Sequence, residues 1–82
     1  MKIIVSLSVP VVQFKTDLFV PSKMKAGDLI SLLTGSMQEA SGKFYPVTGQ
    51  EVLCHEESGL VLNREESMER NGVKNGHHLI LI

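Results

Sequence analysis

The sequence contains few of the residues from which small proteins build disulfides, cysteine metal sites or membrane spans. Cys54 is its one cysteine, so no intramolecular disulfide and no cysteine-rich metal site can form. No apolar run approaches the roughly 18 residues of a membrane span. The N-terminal residues also lack the apolar stretch and cleavage site of a signal peptide. These features predict a cytoplasmic protein that does not insert into a membrane.

The chain also lacks a charge excess of either sign. Eight Lys and Arg residues face nine Asp and Glu residues, for a net charge of −1. Nucleic-acid binding requires a basic face, so a nucleic-acid partner is not expected. With 82 residues and 43% apolar content, we expect one globular domain, 1–82. A core this small cannot easily enclose a deep substrate cavity, and this disfavours an enzyme.

The first twenty residues predict a β-hairpin. Residues 2–9 form an alternating strand pattern whose inward positions are Ile3, Val5, Leu7 and Val9. Pro10 closes this strand, since proline cannot donate to a sheet ladder. Residues 12–20 alternate again, with Phe14, Thr16, Leu18 and Val20 on one face. The short connection favours antiparallel pairing.

From about Ala26 the apolar spacing changes to that of an amphipathic helix. Its predicted apolar positions are Leu29, Leu32, Leu33, Met37 and Ala40. Asp28 lies near the start, where a carboxylate favours the positive end of the helix dipole. The helix should end before residues 41–42, because a glycine follows.

The second half of the chain predicts three short strands. Residues 44–49 should form a loop whose aromatic side chains lie under the helix. Strands are expected at 51–56, 60–62 and 77–82, with turns at 58–59 and 75–76. Between them, residues 63–74 are polar and irregular, and Met68 and Val73 anchor them. The order β-β-α-β-β-β predicts an α+β, β-grasp fold with one amphipathic helix on a mixed sheet.

In this fold the last strand inserts beside the first. The predicted helix face is Leu29, Leu33 and Met37. It should pack onto Val5, Leu79 and Leu81.

Two segments resemble ubiquitin-like proteins. The second half has the pattern Gly59-x-x-Leu62, Met68, Asn71-Gly72-Val73, Asn75-Gly76, Leu79-Ile80-Leu81. The first half has Val20-Pro21-x-x-Met24-x-x-x-Asp28-Leu29-Ile30-x-Leu32-Leu33. The pattern from Val20 to Leu33 resembles the YukD/EsaB family, the small ubiquitin-like proteins encoded with type VII secretion systems of Gram-positive bacteria. The resemblance covers nearly the whole chain.

This resemblance implies a non-catalytic, cytoplasmic accessory of a type VII secretion system. It implies a protein partner, for which the membrane ATPase or another component of the secretion machine is the leading candidate. The alternative is a ubiquitin-like modifier or sulfur carrier whose Gly-Gly tail is missing from this chain. Because residues 79–82 belong to the last predicted strand, we expect neither conjugation nor sulfur transfer.

No catalytic, cofactor-binding or metal-binding residue is predicted. The adjacent pairs Cys54-His55 and His77-His78 point to opposite faces of a strand, so neither pair can readily chelate one ion. We expect solvent-facing or edge histidines and no metal requirement. The acidic pairs at 56–57 and 65–66 are expected to form a solvated surface, since no apolar enclosure raises their pKa values.

The face of the sheet away from the helix is the candidate partner surface. If Leu79 and Leu81 face the helix, Ile80 and Ile82 face outward, and Ile4 should lie beside them on the neighbouring strand. Exposed apolar groups on a sheet often mark a partner site. The predicted polar rim is Lys2, Ser6 and His78. Scattered surface residues, or a homodimer that covers them, are the alternatives.

Overall fold

A computed structural model of the chain describes residues 1–40 and 49–82, and it describes side chains in the helix as far as Ser36. The regular elements follow in the predicted order. They are β1 (Lys2–Val9), β2 (Phe14–Pro21), α1 (Ala26–Ala40), β3 (Leu53–His55), β4 (Leu60–Val61) and β5 (His78–Leu81). The predicted loop at 44–49, with aromatics under the helix, lies outside the described residues except for Gly49.

The predicted hairpin is confirmed, although β2 starts later than expected. β1 and β2 are antiparallel, and Val5 lies opposite Leu18. Residues 12 and 13 are not in the strand, because Pro10–Val12 forms a 3₁₀ turn. Gln13 then has φ of 51°, a left-handed conformation that starts the return strand. Proline suits the first position of such a turn, since its φ is already fixed.

β5 lies in the middle of the sheet, as predicted. Among the described residues the strand order is β2-β1-β5-β3-β4. β5 runs parallel to β1, with Leu7 level with Leu79. It runs antiparallel to β3, with Leu53 level with Leu81. The mixed sheet and single helix confirm the α+β, β-grasp prediction.

The core lies between this sheet and α1. All four alternating positions of β1 that were expected inside are buried, and so are Leu79 and Leu81 of β5. Met68 and Val73 are 0% and 3% exposed, so both anchor the long segment before β5 as predicted. The rest of the buried apolar set is Val20, Ala26, Leu29, Ile30, Leu33, Leu53 and Leu62.

The buried face of α1 differs from the predicted one at one position. Leu29 and Leu33 are buried, but Leu32 is 58% exposed and Ile30 is buried instead. At about 100° per residue, the buried residues 26, 29, 30, 33 and 34 share one arc, and Leu32 lies about 130° from its middle. The predicted contact of Met37 falls outside the described side chains.

The start of α1 is held by the backbone of a distant segment. The N–H of Ala26 donates to the carbonyl of Glu66, and that of Gly27 donates to the carbonyl of Arg64, both at 3.0 Å. The first N–H groups of a helix have no partner within the helix, so these carbonyls take the place of a side-chain cap. Asp28 lies in the first turn, as expected.

Asn71 shapes the segment that supplies these carbonyls. Its Nδ2 donates to the carbonyl oxygens of Asn63, Glu66 and Ser67, at 2.9–3.2 Å. Its Oδ1 accepts the N–H of Asn63 at 2.8 Å. The side-chain amide of Asn71 therefore holds the segment 63–67, whose carbonyl groups accept the first N–H groups of α1.

Candidate functional site

The outward face of the sheet carries an apolar group at one end. Ile80 of β5 lies level with Cys54 of β3, and Cys54 lies level with Val61 of β4. Ile82 and Val52 exchange two backbone hydrogen bonds two residues further along. We call these five residues the Ile80 patch. Val61 and Ile82 are 58% and 59% exposed, while the other three are half-buried.

Ile4 does not belong to this patch, and the predicted surface is wrong on that point. The strand parity was correct, but Ile80 lies level with Ser8. Ile4 is four residues away along β1, which is about 13 Å. The parallel register was not accessible from the alternation of apolar residues alone, because a shift of two or four residues keeps every side chain on its face. Ile4 instead lies opposite Phe19, which is 73% exposed.

A polar row separates these two apolar groups. Ser6 of β1 lies level with Asp17 of β2 and with His78 of β5. The Ser6 hydroxyl donates to Asp17 Oδ1 at 2.9 Å. Two predicted rim residues, Ser6 and His78, therefore lie side by side on neighbouring strands. Lys2 does not join them, since it lies opposite Pro21, beyond Ile4.

A shallow groove of about 460 Å³ runs over the polar row. The groove reaches the Ile80 patch. It is lined by Ser6, Leu7, Ser8, Lys15, Thr16, Asp17, Glu56, His78, Leu79 and Ile80.

His55 is buried, which corrects the expectation of solvent-facing or edge histidines. It is 4% exposed and has the inward parity of Leu53 and Leu79. Its Nε2 lies 2.8 Å from Nδ1 of His77, and the ring centroids are 4.9 Å apart. Its Nδ1 lies 2.8 Å from Oγ of Ser58.

The neighbouring donors fix where the protons of this pair lie. The N–H of Lys74 donates to Nδ1 of His77 at 3.1 Å, so this nitrogen is an acceptor. The Nε2–H of His55 must then donate to it, and Nδ1 of His55 accepts the Ser58 hydroxyl. Burial lowers the pKa of His55, and the nearby His77 adds to this effect. The buried ring is therefore neutral at physiological pH.

Glu57 joins this pair from the turn after β3. Its Oε1 lies 3.6 Å from Nε2 of His55. Its Oε2 accepts a hydrogen bond from Nδ1 of His78 at 2.5 Å, and the carboxylate also accepts the His78 N–H. The side-chain hydrogen bond from His78 is the largest cause that lowers the pKa of Glu57 to about 2. The same bond raises the pKa of His78 above its usual value.

We call His55, Glu57 and His77 the histidine cluster. One ligand atom of each lies within 4.8 Å of the others. The expectation from adjacent pairs considered only neighbours in sequence, and it missed a contact between two residues 22 positions apart. The sequence feature that indicates it is the pair His55-x-Glu57 at the end of β3, together with His77 directly before β5. This feature predicts a contact only when the register of β3 with β5 is known.

In the described part of the chain, no helix combines the length and the apolar character needed to cross a membrane.

The fold defined above is that of ubiquitin-like domains. At the level of sequence, no protein-family model matches the chain and no curated protein matches it significantly. Among solved structures, it is similar to Caldiarchaeum subterraneum ubiquitin, with a TM-score of 0.77 and 17% identity over 100% of this chain and 92% of that one. It is also similar to the ubiquitin-like domain of the type VII secretion protein EccD1 of Mycobacterium tuberculosis, with a TM-score of 0.66 and 19% identity over 100% and 98%. The EccD5 ubiquitin-like domain of Mycobacterium xenopi has a TM-score of 0.69 at 14% identity, over 100% and 93%. These similarities show the ubiquitin-like β-grasp fold.

Proposed function

We propose that this protein is a non-catalytic, cytoplasmic ubiquitin-like interaction module that serves a type VII secretion system. Its partner is the membrane ATPase of that system, which it contacts through the Ile80 patch. The YukD/EsaB-like pattern from Val20 to Leu33 supports the assignment to type VII secretion. The fold shared with the EccD1 and EccD5 domains agrees with it.

The observation that carries the proposal is the composition of the Ile80 patch. Val61 and Ile82 expose more than half of their surface, and Cys54 and Ile80 connect them across three strands. Covering a side chain of this size is worth about 1.5–3 kcal/mol, and a partner recovers that free energy. The neighbouring polar row, with His78 and Glu56, forms a rim that can orient the partner.

The test measures binding of the purified chain to the cytoplasmic part of a type VII membrane ATPase. In the double variant Val61→Asp/Ile82→Asp, two exposed apolar side chains become charged. We expect affinity to fall at least tenfold, because the two lost contacts together remove more than the 1.4 kcal/mol that corresponds to a factor of ten. Both positions are exposed, so the variant should keep the parent's circular dichroism spectrum.

Phe19→Asp is the matched control. Phe19 is also exposed and apolar on the outward face, but it lies on the far side of the polar row. Its variant should bind like the parent. The proposed role fails if the parent does not bind the ATPase, and the proposed surface fails if Phe19→Asp weakens binding as much as the double variant does. A homodimer through the same patch would instead appear as self-association that the double variant abolishes.

A further inference from the structure

The histidine cluster has the composition of a three-ligand zinc site, and its ligand atoms lie within 4.8 Å of one another. We propose that His55, Glu57 and His77 bind one Zn²⁺ through Nε2, Oε1 and Nδ1, with the fourth position left open to solvent. The proposal does not rest on the partner function, because none of the three residues belongs to the Ile80 patch.

The donor set selects zinc over the common hard cations. Two imidazole nitrogens and one carboxylate oxygen suit Zn²⁺, whereas Mg²⁺ and Ca²⁺ require a shell of oxygen ligands. Zinc–nitrogen and zinc–oxygen bonds of about 2.0–2.2 Å place tetrahedral ligand atoms roughly 3.3 Å apart. The two distances at His55 Nε2 are 2.8 Å to His77 Nδ1 and 3.6 Å to Glu57 Oε1. They lie on either side of that value, and all three ligand atoms lie within 4.8 Å of one another, so binding one ion requires Glu57 and His77 to turn towards each other.

Ser58 is placed to hold the ring of His55 in the orientation that binds metal. When Nε2 binds the ion, the ring proton moves to Nδ1, where it donates to Oγ of Ser58 at the distance seen now, 2.8 Å. A metal-bound histidine almost always has such a partner for its second nitrogen. Ser58 is therefore a positioning residue.

Metal binding has two costs that the surroundings can absorb. Nδ1 of His77 would lose the N–H of Lys74, but that group lies at an exposed position where water can replace the bond. Glu57 would share its carboxylate between the ion and His78. Oε2 carries the bond to the His78 ring, so Oε1 is the oxygen that turns to the ion. Glu57 and His77 are also accessible enough for the ion to enter.

The fold does not depend on this ion, since each histidine ring already has a hydrogen-bond partner without it. A chelator should therefore leave the melting temperature of the protein unchanged. Added ZnCl₂ should raise the melting temperature, because the folded chain alone assembles the three ligands.

The experiment is isothermal titration calorimetry of the full chain, stripped with a chelator, against ZnCl₂. We expect one ion per chain. His77→Gln and Glu57→Gln each remove one ligand and should abolish the saturable binding. Ser58→Ala should weaken it about 10- to 100-fold, the usual effect of losing the partner of a ligand. His55→Gln tests the buried ligand, and His77→Gln covers the case in which that variant fails to fold.

Two controls separate this site from chance binding at the surface. Glu56→Gln is matched to Glu57→Gln and should bind like the parent. His78→Gln should retain the saturable binding, because His78 is not one of the three ligands. Lack of saturable binding by the parent overturns the proposal. So does binding that His78→Gln abolishes and His77→Gln retains, which would place the ion on the exposed histidine.

Discussion

Leu32 and Leu33 are neighbours on α1 and lie in opposite environments. Leu33 is 7% exposed and packs in the core with Leu29, whereas Leu32 is 58% exposed. The two side chains are chemically identical, share one helix and differ only in the direction in which the backbone presents them.

This pair offers a matched test of the core. Leu33→Ala should lower the free energy of unfolding by about 2–5 kcal/mol, because it removes buried methyl groups and leaves a cavity. Leu32→Ala should change it by less than about 0.5 kcal/mol, since little surface is buried there. Chemical denaturation of both variants measures the difference. Equal losses would show that α1 is rotated from the orientation described here.

The two glycines of α1 make a second matched pair. A Cβ at Gly35 would meet nothing within 4 Å, so Gly35→Ala should stabilise the protein by about 0.5–1 kcal/mol. A Cβ at Gly27 would lie 3.1 Å from the carbonyl oxygen of Arg64. Gly27→Ala should therefore be less stable than the parent, because the segment that caps the helix must move. Thermal melting of both variants distinguishes them, and an equal gain in both would contradict this close contact.

Asn71 should tolerate neither a smaller nor a charged side chain. Asn71→Ala loses four hydrogen bonds, and we expect a loss of about 1–3 kcal/mol in the free energy of unfolding. Asn71→Asp keeps the size but replaces the donor group with an acceptor that faces three carbonyl oxygens. It should be at least as unstable as Asn71→Ala. A denaturant midpoint for Asn71→Asp equal to that of the parent would refute the role of Nδ2.

Histidine titration followed by NMR in chelator-treated protein should separate His55 from His78. The pKa of His78 should lie above the usual 6.5, because its ring donates a hydrogen bond to Glu57, and the pKa of His55 should lie below 6.5 because that ring is buried. The His78–Glu57 bond stabilises the fold fully below the unfolded pKa of His78, and this contribution is lost as pH rises through the raised folded value. At acid pH the contribution of this bond is lost as Glu57 becomes protonated, while pH falls from 4.5 towards about 2. Glu57→Gln should return the His78 pKa towards 6.5, and an unchanged value would contradict the contact.

The fold was predictable because its evidence is local. Alternation in β1 and the 3.6-residue period around Leu29 and Leu33 depend only on near neighbours. The prediction for Leu32 is wrong because the apolar residues at 29, 30, 32 and 33 fit more than one helix face, and only the position of the sheet selects between these faces.

The sites were less predictable because they depend on register. The alternation of side chains along each strand puts Ile4 and Ile80 on the outward face. The distance between them depends on the register of β1 with β5, which separates them by four residues. The same limit hid the contact of His55 with His77. In both cases, the missing information is the offset between strands distant in the chain, which hydrophobic alternation leaves open.

The position of β5 also governs the order in which this molecule can be assembled. Without residues 78–81, the described part of the sheet consists of two hairpins, β1–β2 and β3–β4, that share no backbone pairing. During synthesis β1 emerges before β5, so the edge of β1 that pairs with β5 has no partner until more than 65 further residues have been made. The N–H of Ile4 likewise has no acceptor until Asn75, whose Oδ1 accepts its hydrogen bond, has been made. Pairing over such separations slows folding. The emerging chain therefore presents an unpaired strand edge until β5 has been synthesised, and in that interval β1 is open to chaperones and to pairing with other chains.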